Sequence, residues 1–497
     1  MTVPLWANSW SAWLDGMFNK ILIANRGEIA CRIIATARRM GIRTVAVFSD
    51  ADATARHVRM ADEAVFIGEA ASSNSYLRGD RIIEAGLRTG AQAIHPGYGF
   101  LSENAEFAQH TQAAGLVFIG PSPSSISAMG DKIEAKRRAR AAGVNCIPGA
   151  DAPISTDSEA HRLAREIGYP VMLKAAAGGG GKGLRIVESE SELLKEFRAC
   201  KNEAAKSFGD ERIFIEKFID RPRHIEVQVL GDSFGNLVHL GERECSIQKR
   251  HQKMLEETPS PFIDAGTRAA MCNQALLLAK AVDYRSAGTV EFVLGADQSF
   301  YFLEMNTRLQ VEHPVTECVF GIDLVEQMIR IAAGEPLAFG QADVRSHGWA
   351  IECRITAEDP FRKFMPGGGK IAEFCPPPTN LQASSPTESF GVRLDAGIEV
   401  GDEVSIHYDS MIGKLIAYGC DRTDAIGRLR EAISRFKIQG VATTLSFHKV
   451  LLEEPEFTAG DFDTGFVGAR FPKGLEALHN TPAKDTNEQR TDKGALD

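Results

Sequence analysis

From Lys20 onward the sequence alternates short apolar runs with amphipathic stretches, and this pattern restricts the fold more than any other feature. Residues 21–24, 44–49, 64–67, 91–94 and 116–119 read as buried strands, with helical segments such as 28–40 between them. Short apolar strands separated by helices predict a parallel, doubly wound α/β sheet. The Gly-Pro-Ser-Pro run at 120–123 closes this unit, placing its boundary near residue 130.

The pattern then changes. A smaller unit, about 143–219, holds strands at 171–174 and 213–218 around a glycine tract at 178–181. Segments 225–230, 237–240, 288–294 and 299–305 carry the turn chemistry of antiparallel pairing. From about His347 the text is again β-rich, with a strand at 414–418, a helix at 424–436 and a Pro/Thr/Ser-rich surface loop at 376–389. A chain of 497 residues exceeds one hydrophobic core and implies about three domains of ~150 residues. The expected class is α/β and α+β: a doubly wound parallel sheet, a central unit with a glycine-rich lid, and a β-rich C-terminal domain. Residues 1–16, with three tryptophans and no Lys or Arg, are expected to form an extension or to reflect an alternative start at Met17, and the tail at 474–497 to be polar and disordered.

Net charge excludes some partners. At −10 the chain is a poor match for nucleic acid or an anionic membrane surface. No apolar run of about 18 residues is present, so no transmembrane helix is expected. Nine scattered cysteines without a CxxC pair suggest buried free thiols in a reducing cytoplasm.

Three constellations carry chemistry. The tract 174–183, Lys-Ala-Ala-Ala-Gly-Gly-Gly-Gly-Lys-Gly, lies between two strands. Successive glycines let backbone N–H groups turn toward phosphate oxygens, and Lys174 and Lys182 add charge. No helix opens after Lys182, so this is not a P-loop; by itself it is a flexible linker or a lid over a nucleotide. The second constellation is a hairpin containing Glu291, Glu304 and Asn306. With its turn centred on Ala296 and Asp297, Glu291 faces Phe302, and Glu304 lies on the diagonal, ~7–8 Å away. Alternation then buries Phe292, Tyr301, Leu303 and Met305 on the opposite face. Two strand glutamates are either a solvated face or hard oxygen ligands for a divalent ion. Third, Arg308 and Glu312 offer an anion clamp and a candidate general base. The basic run 243–253 is either a solvated loop or a second anion site.

Six strings resemble the biotin carboxylases, in family order and over nearly the whole chain: Ala-Asn-Arg-Gly-Glu-Ile-Ala from Ala24, His-Pro-Gly-Tyr-Gly-Phe-Leu-Ser-Glu-Asn from His95, and the runs at 243–253, 304–317, 351–355 and 408–411. The resemblance implies an N-terminal biotin carboxylase domain at 17–130, an ATP-grasp domain at 136–333 with its lid at about 147–219, and a C-terminal domain at 347–465. It implies that Lys132, Lys174, His224 and the strand Glu216, Lys217, Phe218, Ile219 contact ATP, with Gln248 and His251 in reach and Gly180 and Gly181 closing over the phosphates. Glu291, Glu304 and Asn306 would hold Mg²⁺ or Mn²⁺, the two glutamates also meeting the ATP phosphates. Lys253, Arg308, Gln310, Val311 and Glu312 would surround bicarbonate, with Lys253, Arg308 and Glu312 catalytic, and Arg354 would contact biotin, or phosphate at the same site. Glu312 would take the bicarbonate proton, carboxyphosphate and ADP would form, and Arg308 would stabilise the enolate-like biotin.

The run 363–370, Lys-Phe-Met-Pro-Gly-Gly-Gly-Lys, departs from the family's Pro-Ser-Pro-Gly, away from the catalytic strings. The Met-Lys-Met biotinylation motif is absent, so biotin is expected on a separate carrier protein, with a carboxyltransferase as further partner and a homodimer as the family's habit. The expected acceptor is acetyl-CoA, with propionyl-CoA, methylcrotonyl-CoA and pyruvate as alternatives. Rival readings are another carboxyphosphate-forming ATP-grasp ligase and a catalytically silent subunit. The strings at 243–253 and 308–312 favour biotin carboxylase.

Overall fold

The computed structural model describes residues 16–150, 152–175, 183–208, 210–383, 385 and 389–476. The N-terminal extension, Gly180 and Gly181 of the glycine tract, and the tail beyond 476 lie outside them.

The first unit is the expected parallel sheet. Strands β1 (Lys20–Ile23), β2 (Arg43–Ser49), β3 (Glu63–Gly68), β4 (Ala93–His95) and β5 (Val117–Phe118) lie in the order β3-β2-β1-β4-β5, every pair parallel. The order reverses direction at β1. Ligands in such sheets bind at the carboxyl ends of the strands beside that switch point. There Asn25 and Arg26 lead through Gly27, at φ 65°, into helix α1 (Gly27–Arg39). Glycine takes this left-handed turn without steric cost.

A three-stranded antiparallel sheet follows, β6 (Val171–Ala175) between β7 (Leu184–Val187) and β8 (Ile213–Lys217). The largest sheet has eight strands. β13 (Phe300–Asn306), β12 (Ser286–Leu294), β9 (Arg223–Gly231), β10 (Leu237–Lys249), β11 (Gln252–Thr258) and β14 (Trp349–Thr356) lie in that order, followed by Met411–Gly419 and Gly391–Ala396. The sheet therefore runs without a break from the central unit into the C-terminal one, through the β11–β14 pairing. Side chains from both units share one face.

Buried ions tie the first unit to this sheet. Arg32 of α1 donates to Glu317 and Asp323 at 2.8 Å each, and Arg393 donates to the other Glu317 oxygen at 2.7 Å. No helix among the described residues is long and apolar enough to cross a membrane. All nine cysteines are free; Cys375 and Cys420 are exposed, against the expectation of buried thiols throughout.

Among the buried histidines, His57, His95 and His448 are held without charge. Desolvation lowers His57 and His448 to about 4 and His95 to about 3. Unfolding returns each to its ordinary value near 6.5. Between that value and about 4 the unfolded chain binds more protons, so stability falls as pH falls through this window. Each histidine contributes up to roughly 1.4 kcal/mol per pH unit, which urea denaturation at neutral and mildly acidic pH will measure. An unchanged midpoint contradicts their neutral burial.

Candidate active site

The site grows from a row of charges across four adjacent strands. Glu304 of β13 pairs with Glu291 of β12, Glu291 with Glu226 of β9, and Glu226 with Arg243 of β10. Three carboxylates in register repel one another, so the row requires cations. Lys253 supplies one: its Nζ donates to Glu226 at 2.6 Å, Glu291 at 3.0 Å and Glu312 at 2.6 Å, all three of its hydrogens engaged. Burial opposes its charge, yet the three carboxylates keep it firmly protonated. Arg243, fully buried, donates to Glu226 at 2.5 Å and also to Gln228, Thr289 and Thr316.

The hairpin departs from its expected register. A bulge at Leu303 sets Glu304 directly opposite Glu291 rather than on the diagonal. Phe302 consequently packs in the core with Phe292 and Met305, whereas Leu303 and Tyr301 are only half-buried. A bulge inserts one residue into one strand only, and the alternation of apolar residues does not reveal it.

Glu312 immediately precedes helix His313–Phe320. Its second oxygen accepts from Arg354 Nη2 at 2.9 Å, and Arg354 Nε binds Glu256 at 2.7 Å. Despite complete burial, Lys253 and Arg354 hold Glu312 well below the usual carboxylate range. Arg308 is fixed by Glu103 at 2.9 Å, Gln310 at 2.9 Å and Asn306 at 3.1 Å. Gln310 and Asn306 both donate to Glu291, and Val311 receives Lys414 on its carbonyl at 2.7 Å.

The site opens on a cleft of about 1760 Å³ between the units. Of the residues singled out in the sequence, Lys132, Lys174, Glu216, His224, Gln248, His251, Lys253, Glu291, Glu304, Asn306, Arg308, Gln310, Val311, Glu312 and Arg354 all line it. Lys217, Phe218 and Ile219 are not among its lining residues; Lys217 Nζ instead donates to the Gly168 and Tyr169 carbonyls at 2.8 and 3.2 Å. Glu216 is paired with Lys174 and, at 2.5 Å, with Lys136. Sequence reasoning misses Lys136, although it lies one helical turn beyond Lys132. It also misses Glu226, although strand alternation places that residue on the face of His224. Glu103 and Glu256 leave no signal in the sequence, because only tertiary packing brings them here. The 363–370 run also lies closer to the catalytic strings than expected: Lys249, which lines the cleft, sits 3.7 Å from the centre of the Phe364 ring.

The donor set tests for a divalent cation. Glu304 is pushed up, first by burial and then by Glu291, which marks a site short of positive charge. Two opposed carboxylates and an amide oxygen are hard ligands suited to Mg²⁺. The ligand atoms of His224, Glu226 and Glu291 also lie within 4.8 Å of one another. The Lys253 ammonium already neutralises Glu226 and Glu291 there.

Known proteins match along the whole described chain. Residues 17–126 match the biotin carboxylase N-terminal domain, 131–339 the carbamoyl-phosphate synthase L chain ATP binding domain, and 352–469 the biotin carboxylase C-terminal domain. The propionyl-CoA carboxylase alpha chain of Ruegeria pomeroyi is 53% identical, over 94% of this chain and 70% of that one. The human mitochondrial propionyl-CoA carboxylase alpha chain is 55% identical over 92% of this chain, which spans 62% of the human protein's length. The Nostoc biotin carboxylase is 51% identical, over 90% of this chain and 98% of its own. Among solved structures, the bicarbonate-bound biotin carboxylase domain of a thermophilic 2-oxoglutarate carboxylase superposes with a TM-score of 0.86 at 44% identity, covering 92% of this chain and 98% of that one. The Hydrogenobacter thermophilus 2-oxoglutarate carboxylase domain, described as a dimer with MgADP, ADP and bicarbonate, gives 0.81 at 45% identity, with the same coverage.

Proposed function

The chain belongs to the biotin carboxylase family, and on that premise we propose that it carboxylates carrier-borne biotin using ATP, magnesium and bicarbonate. The observation that carries this reading is the chain of contacts from Glu291 through Lys253 and Glu312 to Arg354, which joins a cation site to an anion site.

Glu291, Glu304 and Asn306 would hold magnesium, which when bound would supply positive charge against the ATP phosphates. Lys132 and Lys174 face the same cleft and would neutralise further phosphate charge. Glu312 would accept the bicarbonate proton. Held low by two cations in the resting site, it is a weak base. Anionic substrates drawn to Lys253 and Arg354 share those cations and raise its proton affinity. The base therefore gains strength when the site is filled. The freed bicarbonate oxygen attacks the γ-phosphoryl group, giving carboxyphosphate and ADP. Carboxyphosphate yields CO₂ and phosphate, the phosphate takes the ureido proton, and Arg308 stabilises the resulting biotin anion, whose nitrogen adds to CO₂ to form carboxybiotin. Protein work in such transfers is mainly positioning and charge neutralisation.

The carrier and a carboxyltransferase are the partners in this reading. Homodimerisation is supported by the relative described as a dimer. The acceptor proposed here is propionyl-CoA, because the Ruegeria pomeroyi and human alpha chains it resembles are those of propionyl-CoA carboxylases. It replaces acetyl-CoA, the sequence expectation.

The test is bicarbonate-dependent ADP formation with and without free biotin. Stimulation by biotin is expected. Activity indifferent to biotin points to another ligase, and none under either condition to a silent subunit. Glu304→Gln should weaken Mg-ATP turnover by at least ~10–100-fold, the loss typical of disturbing even the partners of metal ligands. Wild-type magnesium dependence in this variant removes Glu304 from the metal site.

A further inference from the structure

Behind Arg354 lies a pair of carboxylates that the reaction above does not use. Glu256 of β11 and Glu352 of β14 stand directly opposite each other, and both are fully buried. Like charges facing across two strands are destabilising, and a buried unpaired carboxylate is costlier still. Glu256 has a partner in Arg354, at 2.7 Å. Among the described residues Glu352 has none: both its oxygens are buried and accept no hydrogen bond, and Glu256 Oε2 is in the same condition.

The surroundings do not supply the missing charge. Lys414, from the strand Met411–Gly419, is the register partner of Arg354, but its ammonium is turned to the Val311 carbonyl at 2.7 Å and to Glu28 at 3.5 Å. Glu312 adds negative charge from the start of its helix, and Arg354 is shared between Glu312 and Glu256. Tyr98, Cys318 and Cys353 also lie in the field of Glu352. Burial pushes Glu352 well up, with Lys414 opposing and Glu256 reinforcing the rise, and burial raises Glu256 to about 7. Were Glu256, Glu312 and Glu352 all ionised, three carboxylates would bracket one guanidinium and weaken its hold on an incoming anion.

We propose that Glu352 is a positioning residue held as an uncharged carboxylic acid, and that its neutrality leaves Arg354 able to engage an anion in the cleft. This rests on the reading of Arg354 as the contact for biotin or phosphate. The sign follows directly. The uncharged acid persists below its raised folded-state value, so anion binding is intact there. Binding weakens as pH rises through that value and a further negative charge forms beside Arg354, which already serves Glu256 and Glu312.

Infrared spectroscopy tests the protonation itself. The wild-type minus Glu352→Gln difference spectrum at neutral pH is expected to show the carbonyl stretch of a protonated carboxylic acid, shifting on deuteration. A difference confined to ionised-carboxylate bands overturns the assignment. Should the variant not fold, the wild-type spectrum alone must retain a deuteration-sensitive acid band, and its absence is equally decisive. Inorganic sulfate, a dianion throughout, tests the consequence: wild-type affinity falls about tenfold or more from neutral to alkaline pH, and Glu352→Gln flattens this fall. An identical fall in both proteins refutes the role of Glu352. Failure of biotin to stimulate turnover would undo the functional reading while leaving the infrared band in place, so the two failures are distinguishable.

Discussion

Glu312→Gln is expected to lower bicarbonate-dependent ADP formation by about 10²–10⁴-fold, the range typical of losing a general base. The amide keeps the shape of the carboxylate but accepts no proton at neutral pH. The fold should survive. Lys253 retains Glu226 and Glu291, and Arg354 retains Glu256, so neither buried cation is stranded. Calorimetric Mg-ATP binding should therefore persist while turnover collapses. Turnover within a few-fold of wild type would remove Glu312 as the base; loss of nucleotide binding as well would show that the variant disturbs the site rather than the proton transfer.

The largest effect on stability is expected at Arg243. Its side chain is fully buried and donates to Glu226, Gln228, Thr289 and Thr316, which lie on three other elements. Arg243→Met leaves Glu226 with Lys253 alone and strands the polar groups around it. Breaking a buried pair in this way costs about 3–5 kcal/mol. Denaturant titration will measure it. Adding Glu226→Gln should recover part of the loss, since it removes the uncompensated charge. A double variant no more stable than the single one would show that the hydrogen bonds to Gln228, Thr289 and Thr316, rather than the ion pair, carry the effect.

Much of the site is legible in the amino-acid sequence. Glu291, Glu304, Asn306, Arg308 and Glu312 lie within 22 residues of sequence and converge in one cleft. Their spacing encodes the hairpin and the loop that follows it. The departure within that segment is one of register, because the bulge at Leu303 inserts a residue that apolar alternation does not reveal. Lys217 resembles its neighbour Glu216 as a polar strand residue, yet successive strand residues face opposite ways, and Lys217 meets the Gly168 and Tyr169 carbonyls instead. Lys249 and the 363–370 run are far apart in sequence, so no local pattern reports their contact.

The sequence by itself determined the parallel sheet, the antiparallel segments and the family, because hydrophobic period and local motif strings are properties of contiguous residues. Tertiary structure alone decided how charge is balanced. One lysine serves three carboxylates from β9, β12 and the start of the helix His313–Phe320, and one arginine joins Glu312 to Glu256. Electrostatic energy depends on distance and burial rather than on separation along the chain. A carboxylate such as Glu352 reveals its missing partner only when the strands on either side of it are in place.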